Sequence, residues 1–255
     1  TNKNIIWTSS DEEVAAVDST GKVTAVASGE AVITVKTEDG GFTAACTVRV
    51  VNDWSELADT TWYSDEIDSF TISSAEELAG LALLVNSEDN PINFTGKTIT
   101  LEADIDLLGI EWVPIGFINE QVEITKADEY TRCANVFKGT FDGNNKTIYN
   151  LKVDKSKEKA VGLFGVVNLV DGATIKDVVI ENAFINGFTG VGALAGMATS
   201  DSKWVSGIGH EARISGIEVR NSSISGLKYV GGVIGYSTVS IKESTVSNTE
   251  VAAYY

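Results

Sequence analysis

From residue 97 the chain alternates. Ile99, Leu101, Ala103, Ile105 and Leu107 fall on one side of an extended strand, and Thr100, Glu102, Asp104 and Asp106 on the other. Period two with one apolar side predicts a strand with a dry face and a wet face. A second such run, Lys146-Thr-Ile-Tyr-Asn-Leu-Lys-Val153, follows Asp142-Gly-Asn-Asn145, which reads as a tight turn. Farther on, the segments 173–187, 212–226 and 239–253 superpose residue for residue. Ile175, Ile214 and Ile241 coincide, as do Ile180, Val219 and Val246, then Ile185, Ile224 and Val251, and the asparagines Asn182, Asn221 and Asn248. A strand-and-turn unit of this size buries its apolar edge only by stacking on its neighbours, so the repeat predicts a solenoid with Ile/Val ladders inside. The asparagines read as turn residues that satisfy local backbone groups rather than as ligand contacts.

The first 50 residues show short alternating segments, at 4–7, 14–17, 22–26, 31–37 and 42–51, separated by turn-forming Asp-Ser-Thr-Gly, Ser-Gly and Glu-Asp-Gly-Gly. This spacing predicts an all-β sandwich. Cys46 alternates with Val48 and Val50 and is expected to be a buried small hydrophobe. Residues 53–69 lack a period and suit a connector. Ser74-Ala-Glu-Glu77 then has the form of a capping box, and Leu78, Leu81, Ala82 and Val85 recur at helical spacing. An amphipathic helix here would cover the open end of the solenoid.

Trp7-Thr-Ser-Ser10, Val14-Ala-Ala-Val-Asp18, Gly21-Lys-Val-Thr-Ala25, Gly29-Glu-Ala-Val-Ile-Thr-Val35 and Cys46-Thr-Val-Arg-Val50 follow one another in an order that resembles the group 2 bacterial immunoglobulin-like domain. The resemblance covers the second part of that domain and implies an incomplete sandwich within a longer protein. Trp112-Val-Pro-Ile-Gly116, Phe137-Lys-Gly-Thr-Phe-Asp-Gly-Asn144 and Gly162-Leu-Phe-Gly165 look like the GLUG-motif region of bacterial surface proteins, with degenerate copies at Gly192-Ala-Leu-Ala-Gly196 and Gly231-Gly-Val-Ile-Gly235. This second resemblance implies a right-handed parallel β-helix at the cell surface and no catalytic residues. The flanking glycines are expected to permit tight corners or close approach between coils.

A formal net charge of −17 excludes a phosphate-tracking nucleic-acid surface, since the basic residues are few and scattered along the sequence. No apolar run is long enough to cross a bilayer. The single histidine, His210, excludes a His-Glu-x-x-His zinc site, and neither a nucleophile elbow nor a phosphate-binding loop is present. Glu102, Asp104 and Asp106 share a strand face and are the best candidates for a calcium site or acid–base sugar chemistry, although alternation alone places charges on any solvated face. Asp142 and Asp171 each precede a glycine and read as turn residues, and Trp112 as core or corner packing. Two segments interrupt the repeat. Residues 197–211 carry Trp204 and His210, and residues 118–136 carry Tyr130 and Arg132. Solenoid insertions emerge on one face and often carry recognition, so these four residues are the candidate recognition surface, with Trp204 also able to fold back as a lid.

The reading is therefore all-β: a partial Ig-like β-sandwich at 1–52, a connector at 53–69, and a right-handed parallel β-helix with one capping helix at 70–255. Its expected role is a non-catalytic adhesion or ligand-presenting module of a secreted or surface-anchored bacterial protein. It would need no cofactor or metal. Its partner would be a surface protein or glycan, with no nucleic acid and no membrane insertion. The alternative is a carbohydrate-binding or carbohydrate-active β-helix of the lyase or hydrolase kind.

Overall fold

The computed structural model describes residues 4–118, 134–200 and 213–254 and divides into two compact units, Thr1–Asn52 and Asp53–Tyr255. The first unit holds β1 (Ile5–Ser9), β2 (Ala15–Val17), β3 (Val23–Ala25), β4 (Gly29–Thr37) and β5 (Thr43–Val50). β4 is central in an antiparallel sheet of order β1-β4-β5, and β2 pairs with β3. The β2–β3 turn closes on Asp18, whose carboxylate accepts from the Thr20 hydroxyl and from the backbone N–H groups of Thr20 and Lys22. The Thr20 hydroxyl, first among these donors, holds that carboxyl below its ordinary value. Ala15, Ala31 and Ile33 form the buried core, with Trp7, Val48 and Val50 partly buried around it. Cys46 is exposed, contrary to the sequence expectation. It sits on the edge strand β5, where the small core reaches Val48 and Val50 but stops short of the thiol.

The second unit begins with a 3-10 helix, Trp54–Leu57, then β6 (Ser69–Ile72), α1 (Ala75–Asn86), β7 (Thr98–Leu101), β8 (Ile105–Asp106) and β9 (Phe117–Ile118). There follow β10 (Ala134–Asn135), β11 (Thr140–Tyr149), β12 (Lys152–Val161), β13 (Phe164–Asn168), β14 (Ile175–Glu181), β15 (Phe184–Val191) and β16 (Ala195–Thr199). The described chain ends with β17 (Ile214–Arg220), β18 (Ser223–Gly226), β19 (Lys228–Val230), β20 (Ile234–Ser237), β21 (Ile241–Lys242), β22 (Thr245–Ser247) and β23 (Glu250–Ala253). Three parallel sheets result. The first runs β6-β7-β11-β14-β17-β21, with β8 beside β11 and β22 beside β17; the second runs β12-β15-β18-β23, with β19 beside β15; the third runs β13-β16-β20. Each strand pairs with its counterpart one repeat away, a pattern that fits a β-helix.

The registers place the aligned residues side by side: Ile175 on Ile214 on Ile241, Ile180 on Val219 on Val246, and Ile185 on Ile224 on Val251. The ladders also run toward the N-terminus, where Ile99 lies beside Phe141 and Phe141 beside Ile175, and where Val153 lies beside Ile185. Ile99, Phe141, Ile175, Ile180, Ile185, Ile214, Val219 and Ile224 are fully buried. Each such side chain contributes roughly 1.5–3 kcal/mol through burial, before entropy. In β21–β23 the same ladder positions, Ile241, Val246 and Val251, are exposed.

Three expected elements differ in detail. The run 97–107 is two strands, β7 and β8, because only Thr98–Leu101 and Ile105–Asp106 find ladder partners. Asp142-Gly-Asn-Asn145 is a bulge inside β11 rather than a turn between strands, with Asn144 and Asn145 at φ 49° and 57° and the register shifting between Asp142 and Lys146. The run 146–153 bends at Asn150 (φ 56°) and supplies the end of β11 and the start of β12.

Ser74 caps α1 by accepting from the Glu77 N–H, but the Glu77 carboxylate reaches Ser73 N–H, one residue before the cap. The helix buries Leu78, Leu81, Ala82 and Val85 into the same core as Ile72, Ile99 and Leu101. Residues 53–69, expected as a connector, cluster with this unit. Trp54 is buried and donates from Nε1 to Leu107 O, while Trp62 Nε1 donates to Glu77 O. Gly80 lets Asp59 in, since a Cβ there would stand 1.8 Å from Asp59 O. Trp62, Tyr63, Phe70 and Phe94 form a ring cluster that continues through Phe137 to Phe164 and Phe141. Desolvation there, with the hydrogen bond to Asp65, pushes the Tyr63 phenol up to about 12.

Candidate recognition surfaces

The corners between sheets are made by glycines and left-handed asparagines. At the glycine-flanked corners a Cβ on Gly162 would overlap Gly192 O, one on Gly165 would overlap Gly116 O, and one on Gly196 would overlap Ala160 C. These are contacts no side chain can make, so the glycines are needed for close approach between neighbouring stretches of backbone. The corner between the first and second sheets is turned by Asn150, Asn182, Asn221 and Asn248, with φ between 45° and 57°. Asparagine tolerates this region better than other side chains. Asn248 Nδ2 donates to Asn221 Oδ1 at 2.6 Å, and Asn221 Nδ2 donates to Glu181 Oε1 at 3.0 Å rather than to Asn182. Glu181 also pairs with Arg220 at 2.9 Å, which raises the guanidinium pKa.

The acidic candidates serve the frame. Asp104 accepts from Thr147 N–H, and Asp106 from Leu108 N–H and Asn150 Nδ2. Glu102 is exposed at the end of β7. Among the described residues no group of three His, Cys, Asp or Glu side chains is placed to hold a metal ion. Asp171 stands at φ 49° before Gly172, in keeping with a turn. Asp142 holds Lys176 at 2.6 Å and raises its pKa. Trp112 is fully buried and donates from Nε1 to Leu163 O, as core packing requires.

Trp204, His210, Tyr130 and Arg132 lie outside the described residues. The roots of their two segments do not. Ile118 and Val136 flank one segment and Met197 precedes the other, and all three meet Ala160 and Val166 in one apolar cluster outside the third sheet. β9 pairs antiparallel with β10 at the root of the first. Beside this cluster lies a cavity of about 560 Å³ lined by Pro114, Phe117 and Ile118 and by Lys155, Lys157, Glu158 and Lys159. Lys155 pairs with Glu158 at 3.3 Å. Sequence reasoning treated the lysines as scattered, yet these three line one cavity, where the register of β12 shifts between Lys155 and Lys159, an irregularity that no period in the chain announces.

A second surface follows the asparagine corner. Phe184, 45% exposed, stands between a hollow of about 720 Å³, reaching Asn221, Ser223, Asn248 and Glu250, and one of about 360 Å³, reaching Leu108, Asn150, Lys152 and Asn182. In the register Lys152, Phe184, Ser223 and Glu250 form one outward row across four strands. The next row carries Asp154, Asn186 and Ser225, joined by hydrogen bonds through Asn186.

Residues 1–48 match the model of the group 2 bacterial Ig-like domain. An uncharacterized protein of Clostridium acetobutylicum is 31% identical over 177 residues, covering 69% of this chain and 17% of that protein. Halomucin of Haloquadratum walsbyi is 31% identical over 185 residues, covering 70% of this chain and 2% of its own length. A second uncharacterized protein of Clostridium acetobutylicum is 47% identical over 53 residues, covering 20% of this chain and 13% of that protein. The chain thus spans a small part of each of these relatives. No solved structure matches it.

Proposed function

We propose that the chain is a non-catalytic, ligand-presenting module of a secreted or cell-surface protein, in which an Ig-like sandwich precedes a right-handed parallel β-helix of the GLUG type. Three parallel sheets whose strands pair one repeat apart support the β-helix. The group 2 Ig-like match at 1–48 and the similarity to halomucin support the location. The observation that carries the ligand-presenting role is the meeting of two insertion roots in one outer cluster beside a cavity of about 560 Å³, the size of a small-molecule or side-chain pocket. The engagement of Asp104 and Asp106 in backbone hydrogen bonds argues against acid–base work by that strand.

Antibodies raised against the chain are expected to label intact cells of the native producer as strongly as lysed ones. Labelling that needs lysis overturns the location. The purified chain is expected to release no reducing ends from polysaccharides and no new amines from peptides, and turnover of either overturns the non-catalytic role.

A further inference from the structure

We propose that the asparagine corner binds a neutral, linear glycan laid across Phe184 along the stacking direction of the coils. The inference goes beyond the insertion roots that carry the ligand-presenting reading and names a second site with its own ligand class. Phe184 is an exposed ring flanked by a hollow on each side, a position in which one face of a pyranose ring can lie on the aromatic face. Around it the Asn182 amide, the Ser223 hydroxyl and the Glu250 carboxylate line the two hollows and make no hydrogen bond among the described residues. Amide, hydroxyl and carboxylate are the groups that exchange hydrogen bonds with sugar hydroxyls, the carboxylate most strongly.

Two further observations choose the ligand. Outward positions recur in register from strand to strand, with polar or charged groups on either side of Phe184 in the row Lys152, Phe184, Ser223, Glu250, and with one repeated side chain in the corner Asn150, Asn182, Asn221, Asn248. Strands in a sheet lie about 4.8 Å apart. An extended glycan, whose rings recur at a similar interval, can keep step with such a ladder where a globular partner cannot. The lining charges also balance. Lys152, itself 3.9 Å from Glu111, lines one hollow and Glu250 the other, and the rest of the lining is uncharged, within a chain of net charge −17. An anionic polysaccharide finds no cationic track here and is repelled by the whole.

The test is an array of neutral and N-acetylated oligosaccharides probed with the full chain, followed by calorimetric titration of the best-bound hexasaccharide. Phe184→Ala is expected to weaken that binding at least about tenfold. Phe188→Ala, equally a surface phenylalanine of β15 but outside both hollows, is expected to leave it unchanged. Both side chains are exposed, so both variants should keep the wild-type circular dichroism. Binding of no neutral glycan, wild-type affinity in Phe184→Ala, or equal loss in Phe188→Ala overturns the proposal. Retention of a surface protein or an anionic glycan with no neutral binding overturns it as well, while leaving the ligand-presenting reading in place.

Discussion

At the scale of the residue, the second unit depends on positions where no side chain is allowed. Gly165 and Gly196 face the backbone of a neighbouring coil so closely that a methyl group overlaps it, whereas Gly109, although left-handed at φ 66°, faces open space. Gly165→Ala is therefore expected to lower stability by about 3 kcal/mol or more, because neighbouring coils must separate along a packed ladder. Gly109→Ala should cost only about 1 kcal/mol of backbone strain. Urea midpoints compare the two, and similar shifts would mean that close approach is not what these corners require. The asparagines act the other way, keeping a side chain at positive φ. The sequence repeat revealed Asn182, Asn221 and Asn248, but not Asn150, which does the same work one coil earlier.

The reason for that omission belongs to the scale of the element. β11 carries a bulge at Asp142–Lys146, so the coil containing Asn150 has extra residues and cannot be laid over the later ones without a gap. Ladders built of Phe141 and Ile175 are also hidden from a residue-for-residue comparison, since it is their burial and not their identity that is shared. α1 was legible because it is local: the cap, the first-turn acids and the apolar spacing lie within twelve residues of one another. Its Ser74 cap accepts the Glu77 N–H at 3.1 Å, so Ser74→Ala is expected to cost about 1 kcal/mol. A urea midpoint for the second unit unchanged by that substitution would show the helix end to be held by packing alone. Residues 53–69 were not legible as part of this unit, because Trp54 and Trp62 find their hydrogen-bond acceptors on Leu107 and Glu77, and no local period announces such a pairing.

At the scale of the whole molecule the two units differ in how much they bury. The first keeps Ala15, Ala31 and Ile33 fully inside, while the second has continuous ladders and a ring cluster. Amides of β4 are therefore expected to exchange with solvent deuterons faster than those of β14 and β15, as a small core supports only weak protection. Equal protection by mass spectrometry would mean that the first unit is more stable than its own core explains. The chain by itself determined the all-β class, the order of the Ig-like strands, the helix with its cap, and the stacking of the last coils, since alternation, capping and repetition are properties of neighbouring residues. Only the tertiary structure decided which residues share a surface. That Ile118, Val136 and Met197 meet and that Phe184 stands between two hollows follow from the register between stacked strands, which insertions of unequal length remove from the linear sequence, and that Cys46 is exposed follows from the small core beneath an edge strand.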